Sequence, residues 1–197
     1  MKYYLDITLL PDSEADLGFL WKKVYQQIHI ALAENKTING GSAIAVSFPE
    51  YGSKVFPLGA KLRLLAKTQE QLNKFNALQW LNRLSDYTHC TSIKEVPLSV
   101  DKFVCFKRKQ CDTNIERFAR RRAKRKGETL EQALQYYVGF KDEESKLPFI
   151  NMESLSENKK FRLFIQQEIV TEAVAGEFSC YGLSVSNAEK RPTVPRF

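Results

Sequence analysis

Residues 4–32 read "YLDITLLPDSEADLGFLWKKVYQQIHIAL", and two hydrophobic periods meet inside this stretch. In its first part Leu5, Ile7 and Leu9 alternate with Asp6 and Thr8, the pattern of a half-buried strand. Pro11 ends that strand. Ser13, with Asp16 three residues on, predicts a capping box. Beyond it Leu17, Leu20, Trp21, Val24, Ile28, Ala31 and Leu32 recur at helical spacing and form one apolar stripe. Downstream, "SAIAVSFP" at 42–49 predicts a second strand with Ile44, Val46 and Phe48 on one face, and "GAKLRLLAK" at 59–67 a third. A second amphipathic helix is expected over "TQEQLNKFNALQWLNRLSDY" at 68–87, with Leu72, Phe75, Leu78, Leu81 and Leu84 inward. A strand near Thr91–Val96 closes the set. The order β-α-β-β-α-β is the ferredoxin-like arrangement that also underlies RNA-recognition domains, so the fold class is α+β. The aromatic RNP signature of a single-strand reader is absent from the sequence.

The pattern changes near Pro97. "KFVCFKRKQ" at 102–110 predicts a short strand or arm, and a basic helix follows. "TLEQALQYYVGF" at 129–140 predicts another helical stretch. "PFINMESL", "KKFRLFIQQEIV" and "EFSCYGLSV" are strand candidates, and the proline-containing tail "NAEKRPTVPRF" is expected to be extended. Two domains follow from this: residues 1–97, ferredoxin-like, and residues 98–197, a smaller α+β unit built around the basic helix.

The chain is 43% hydrophobic and 12% aromatic, enough to bury a core and exclude a disordered chain. Its apolar runs fall far short of the roughly 20 residues of a membrane helix. The N-terminus carries Asp6 and Asp12 and no small-residue cleavage site, so a soluble, cytoplasmic protein without membrane association is expected. The four cysteines, Cys90, Cys105, Cys111 and Cys180, form no C-x-x-C pair, and His29 and His89 are the two histidines. Metal-ligand spacing is lacking, so thiols in a reducing compartment are expected, with no metal or other cofactor.

The net charge of +7 is local. Residues 102–126 hold eleven Lys or Arg against Asp112 and Glu116, a segment charge of +9 that leaves −2 for the rest of the chain. Within "IERFARRRAKRK" at 115–126, Arg120, Arg121, Lys124 and Arg125 fall within about 80° of Arg117 at 100° per residue. Phe118, Ala119, Ala123 and Ile115 lie on the far side. A cationic ladder with an apolar back points to nucleic acid, with a solvated or membrane-surface face as the bland alternative. A helix of this kind suits an A-form hairpin groove near a loop or end, although a B-form major groove also admits a helix. Arg108 and Gln110, two apart on an extended segment, are a candidate base-reading pair, Arg for guanine and Gln for adenine.

His29 lies about 140° from Val24, at the margin of the core stripe, where an ordinary surface or interface role competes with catalysis. RNA carries its own nucleophile in the 2′-hydroxyl, and cleavage by that group needs a base, groups that position the hydroxyl, and a donor for the leaving 5′-oxygen. Ser154, Ser156 and Tyr181 are candidate positioning hydroxyls. Nothing in the periodicity joins them to His29.

These segments together resemble the CRISPR repeat-processing endoribonucleases of type I-F systems, the Csy-four or Cas-six-f family. The resemblance runs from "YLDITLLPD" through "QIHIAL", "AVSFPE", "KRKQ" and "ERFARRR" to "SLSENKKFRLFI" and "FSCYGLS". It implies a ferredoxin-like domain followed by a domain whose arginine-rich helix enters the major groove of the repeat stem-loop. It also implies metal-independent cleavage at the 3′ base of that stem, leaving a 2′,3′-cyclic or 3′-phosphate. On this resemblance the catalytic residues are His29, Ser154 and Tyr181, with Ser156 in support. Arg108 and Gln110 read bases, Phe161 stacks on the last base pair, and Arg117, Arg120, Arg121 and Arg125 line the groove helix, where Lys124 shares their face. The expected partners are CRISPR repeat RNA and the backbone subunit of a surveillance complex. The sequence departs from the family pattern at Glu157-Asn158 and adds Arg122 and Lys126 to the helix side where packing is expected. Two alternatives stay open: a hairpin-binding subunit that does not cut, and a DNA-binding regulator, against which the lack of a helix-turn-helix pattern counts.

Overall fold

The computed structural model describes residues 1–110, 115–138, 146–154, 159–185 and 191–197. The chain divides into two compact units, one of Met1–Lys109 with Pro148–Phe197 and one of Gln110–Leu147. The sequence boundary at 97/98 falls on the segment joining the two sheets of the first unit.

The first sheet contains β1 (Tyr3–Leu9), β2 (Ala45–Ser47), β3 (Lys61–Ala66), β4 (Thr88–Cys90) and β5 (Lys94–Glu95). Its order is β2-β3-β1-β4, with β5 also pairing β1, and all pairs are antiparallel. With helix α1 (Leu17–Glu34) between β1 and β2, and α2 (Gln69–Phe75) after β3, this is the ferredoxin-like α+β fold that the two hydrophobic periods predict. The closing strand is split into β4 and β5 rather than running unbroken from Thr91 to Val96.

Leu5, Ile7 and Leu9 are buried, as is the α1 stripe of Leu20, Trp21, Val24, Ile28, Ala31 and Leu32. Tyr25 is buried as well and widens that stripe. The cap of α1 differs from the expected box: Asp16 is the N-cap, and its carboxylate accepts from the Phe19 N–H at 2.8 Å. A cap of this type is worth about 1 kcal/mol. Asp6, expected on an open face, is buried opposite Arg63 of β3, which donates to it at 2.6 and 2.9 Å. Arg63 also sits over the rings of Tyr4 and Phe197, at 4.6 and 3.9 Å. This pairing makes the buried charge tolerable, and removing either partner strands the other.

The single helix expected over 68–87 is broken. Asn76 adopts a left-handed conformation, φ +47°, which resets the helical phase. The chain continues as α3 (Ala77–Trp80) and a 3₁₀ turn over Asn82–Tyr87. Leu78 is therefore 66% exposed instead of inward, while Leu72, Phe75, Ala77 and Leu81 are buried.

The second sheet has β6 (Phe103–Lys109), β7 (Phe149–Glu153), β8 (Lys160–Val170) and β9 (Val194–Pro195) in the order β7-β8-β6-β9. The tail segment 191–197 is tied down by β9 and by the Arg196 N–H donating to the Lys102 carbonyl at 2.9 Å. The expected strand at 177–185 is instead a turn carrying two isolated bridges, Phe178 with Ser42 and Ser184 with Lys107. Gly182, at φ +69°, makes the turn possible.

The second unit is built on α4 (Ile115–Lys126) and α5 (Leu130–Gln135). Thr129 and Gln132 form the capping box that opens α5. Ala119 and Ala133 are buried, and Phe118 lies 6.2 Å from Tyr137 between ring centres. Among the described residues no helix is long and apolar enough to cross a membrane. Cys90, Cys105 and Cys180 are free thiols; Cys111 and Ser156 lie outside the described residues.

Candidate active site

The 179–183 turn is clamped onto α1 and β2 by main-chain groups. The Tyr25 hydroxyl donates to the Tyr181 carbonyl at 2.8 Å, and the Val46 N–H donates to the Gly182 carbonyl at 2.8 Å. A Cβ on Gly182 would stand 2.5 Å from the Val46 Cγ2 and 3.2 Å from Leu32, so only glycine allows this approach. The turn itself closes through the Gly182 N–H to the Ser179 carbonyl and the Ser179 N–H to the Leu183 carbonyl.

This clamp brings the turn against His29, one helical turn beyond Tyr25. The His29 Nδ1 lies 2.9 Å from the Cys180 carbonyl oxygen. A carbonyl only accepts, so Nδ1 carries the hydrogen, and the neutral ring presents Nε2 as a lone pair. The Tyr181 ring lies flat against the imidazole, 4.2 Å between centres and 2° between planes. Burial lowers the His29 pKa below its ordinary 6.5; the Cys180 hydrogen bond opposes this, and the charges of Lys36 and Arg108 add to it. The ring is therefore an uncharged base at neutral pH. Burial also raises the Tyr181 phenol, against the charge and hydrogen bond of Arg108, so the hydroxyl stays protonated.

Arg108 reaches this site from β6. Its guanidinium lies 5.5 Å from the Tyr181 ring and 5.4 Å from the Phe161 ring of β8, within cation–π range of both. His29, Tyr181, Arg108 and Phe161, far apart in sequence, thus converge on one site. Ser154 is attached less directly. It follows β7, and its N–H donates to the Lys159 carbonyl at 2.9 Å. Its neighbour Glu153 exchanges two hydrogen bonds with the Gln26 side chain, each 3.1 Å. Gln26 stands three residues before His29, so one helix face fixes both the imidazole and the strand end that carries Ser154.

Tyr25, Gln26, Gly182 and the Cys180 carbonyl are the parts that sequence reasoning missed. The first two lie next to the core stripe and read as ordinary helix residues. A main-chain carbonyl has no sequence signature. Gly182 was the one available signal, a glycine inside a segment otherwise patterned as a strand.

In the second unit Arg117, Arg120, Arg121, Lys124 and Arg125 are all exposed on α4, and four of them, with Glu116, line a shallow groove of about 440 Å³. Arg120 also pairs with Glu116 one turn earlier. Arg122 behaves differently. It donates to Glu128 at 3.0 and 3.1 Å and lies 3.9 Å over the Tyr136 ring. It is a packing residue, which accounts for a cation on the side where packing is expected. Gln110 is exposed and begins this unit. Among the described residues no three His, Cys, Asp or Glu side chains converge as metal ligands.

Relatives of the chain extend along its whole length. The family described as CRISPR-associated protein (Cas_Csy4) matches residues 4–197. A protein of Escherichia coli (strain UTI89 / UPEC) named CRISPR-associated endonuclease Cas6/Csy4 is 35% identical over 198 residues, 100% of each chain. One of Pseudomonas aeruginosa (strain UCBPP-PA14) with the same name is 33% identical over 185 residues, 93% of this chain and 96% of that one. With a match of this extent, the chain belongs to the Cas_Csy4 family of CRISPR-associated proteins.

Proposed function

We propose that the protein is an endoribonuclease that cuts CRISPR precursor RNA at the 3′ base of the repeat stem-loop, without a metal ion, and stays on the product hairpin. The observation that carries this reading is the His29 tautomer. Nδ1 is committed to the Cys180 carbonyl, the ring plane is fixed against Tyr181, and Nε2 remains as a base. Its relatives' names, which call them CRISPR-associated endonucleases, support the same activity.

In this reading Nε2 takes the proton of the 2′-hydroxyl, and the 2′-oxygen attacks the adjacent phosphorus. The bond to the 5′-oxygen breaks, leaving a 2′,3′-cyclic phosphate on one product and a 5′-hydroxyl on the other. The imidazolium supplies the proton that the leaving oxygen needs. Because the nucleophile belongs to the RNA, no metal-activated water is required. Ser154 positions the 2′-hydroxyl and Tyr181 holds the imidazole in plane. Phe161 stacks on the last base pair of the stem, where Arg108 reaches guanine O6 and N7. Gln110 reads a neighbouring base, and Ser156 supports Ser154. Arg117, Arg120, Arg121, Lys124 and Arg125 contact phosphates along the stem's major groove. The product complex then joins the backbone subunit of a surveillance complex in the cytoplasm.

The test uses the repeat hairpin of the organism's own array in EDTA, beside a copy carrying one 2′-deoxy sugar at the cut. The expected result is cleavage of the first and tight binding without cleavage of the second. Cleavage of the deoxy copy, or a requirement for added Mg²⁺, overturns the mechanism. Binding of both without cutting would make the protein a hairpin-holding subunit.

A further inference from the structure

A second feature lies along the same face of α1. Lys22 precedes His29 by seven residues, two helical turns, so it faces the same way about 10 Å along the axis. Lys22, Glu153, Lys160, Phe161 and Arg162 line a groove of about 430 Å³, together with Asn151 and Met152. Lys160 lies across the β7–β8 ladder from Glu153, and Arg162 across from Asn151. Lys160 and Arg162 are exposed, and the Arg162 guanidinium is supported by the Phe149 ring at 4.8 Å. Among the described residues the one carboxylate lining the groove is Glu153, matched by Lys22 at 2.7 Å. Three cations against that carboxylate give the described lining a net positive charge.

The groove adjoins the candidate active site through two residues. Phe161 is common to both, and Glu153 directly precedes Ser154. If the stem ends on Phe161, what continues past it is single-stranded. The strand nearest the groove is the one whose phosphate lies at Ser154, the cut strand. A separation of about 10 Å corresponds to roughly three nucleotides at the 3.4 Å stacked rise.

We propose that this groove is a subsite for the phosphate backbone of the single-stranded RNA on the 3′ side of the cut, held by Lys160, Arg162 and Lys22. The proposal rests on the endoribonuclease reading above. It gives the enzyme a grip on the precursor that the product lacks: cutting releases the flank, and the hairpin contacts alone remain. The precursor is thereby bound more tightly than the product without any contact to flank bases, so the preference is independent of flank sequence.

The experiment uses the full chain and uncleavable repeat RNA with a 2′-deoxy sugar at the cut. Three RNAs are compared: the hairpin ending at the cut, the hairpin with eight further 3′ nucleotides, and the hairpin with eight further 5′ nucleotides. The 3′-flanked RNA is expected to bind more tightly, with a salt slope steeper by about two than that of the bare hairpin. The double variant Lys160→Gln with Arg162→Gln should remove about two-thirds of that excess, two of the three cations, and leave the bare hairpin's affinity unchanged, which also reports that the variant is folded. An equal loss on all three RNAs assigns the groove to the stem and overturns the proposal. A loss confined to the 5′-flanked RNA, or no loss at all, overturns it too. Cleavage of the deoxy RNA would instead count against the endoribonuclease mechanism, so the two failures are distinguishable.

Discussion

Helices α1 and α4 each carry a polar row on an apolar back, yet the proposed function gives them opposite tasks. On α1 the candidate functional side chain is half-buried. His29 has one nitrogen bonded, its ring stacked, and its neighbours Tyr25 and Gln26 bonded to the segments that carry Tyr181 and Ser154. On α4 the five aligned cations are exposed, and the helix is held chiefly through Phe118, Ala119 and Arg122 on its back. Acid–base chemistry needs a proton acceptor held to within a fraction of an ångström. Gripping a polyanion needs charge density and tolerates side-chain motion. The two kinds of function therefore leave different marks: the second in composition, the first in packing.

The largest effect is expected at His29. His29→Ala is expected to lower the single-turnover cleavage rate by about 10²- to 10⁴-fold, while hairpin affinity, carried by other residues, stays nearly unchanged. A large affinity loss in a gel-shift titration would make His29 a structural residue. The pH profile sharpens the point. In the proposed mechanism the working form is the unprotonated ring, and burial moves its pKa below the ordinary 6.5. The rate should rise with pH through that lowered pKa and be flat above 6.5. A rate still climbing from 6.5 to 8 would mean that another group titrates.

A smaller effect separates two glycines that share a left-handed conformation. Gly182, beside His29, has φ +69° and no room for a Cβ against Val46. Gly127, just past α4, has φ +67° and nothing within 4 Å of where a Cβ would stand. Gly182→Ala therefore meets both backbone strain and overpacking, about 2–5 kcal/mol together. It should also slow cleavage by lifting the Cys180 carbonyl and Tyr181 away from His29. Gly127→Ala meets the strain alone, about 1–2 kcal/mol. Urea denaturation of both variants, with single-turnover rates, measures the contrast; equal stability losses would show that the turn can give way.

The same contrast explains what was legible in the sequence. The strand β1 and helix α1 were readable because alternation and the 3.6 period are local properties of burial. The charge of α4 was readable because seven cations in twelve residues cannot be hidden by folding. The break at Asn76 was not, since one residue in a left-handed conformation leaves the surrounding apolar pattern looking continuous. The candidate site is half legible. A family resemblance points to His29, Ser154 and Tyr181, while periodicity alone puts His29 at the margin of a core stripe. What fixes that marginal histidine in place is a carbonyl and a ring supplied by residues some 150 positions away, and such long-range contacts leave no local pattern.

The smallest effect lies within α4 itself, between adjacent arginines. Arg121 is exposed on the aligned face, whereas Arg122 is bound to Glu128 and covered by Tyr136. Arg121→Ala should flatten the dependence of log K on log salt by about 0.7–0.9, the share of one phosphate contact, with little change in thermal stability. Arg122→Ala should do the reverse: the salt slope stays, and stability falls by about 1 kcal/mol as an ion pair and a cation–π contact are lost. Binding isotherms at four or more salt concentrations, paired with thermal melts, read both quantities. If the two variants flatten the slope alike, Arg122 leaves Glu128 to meet RNA, and the helix would have no dedicated packing side. If neither does, the charge on α4 serves something other than a phosphate backbone, because a cation that releases no counterions on binding contributes nothing to the salt dependence.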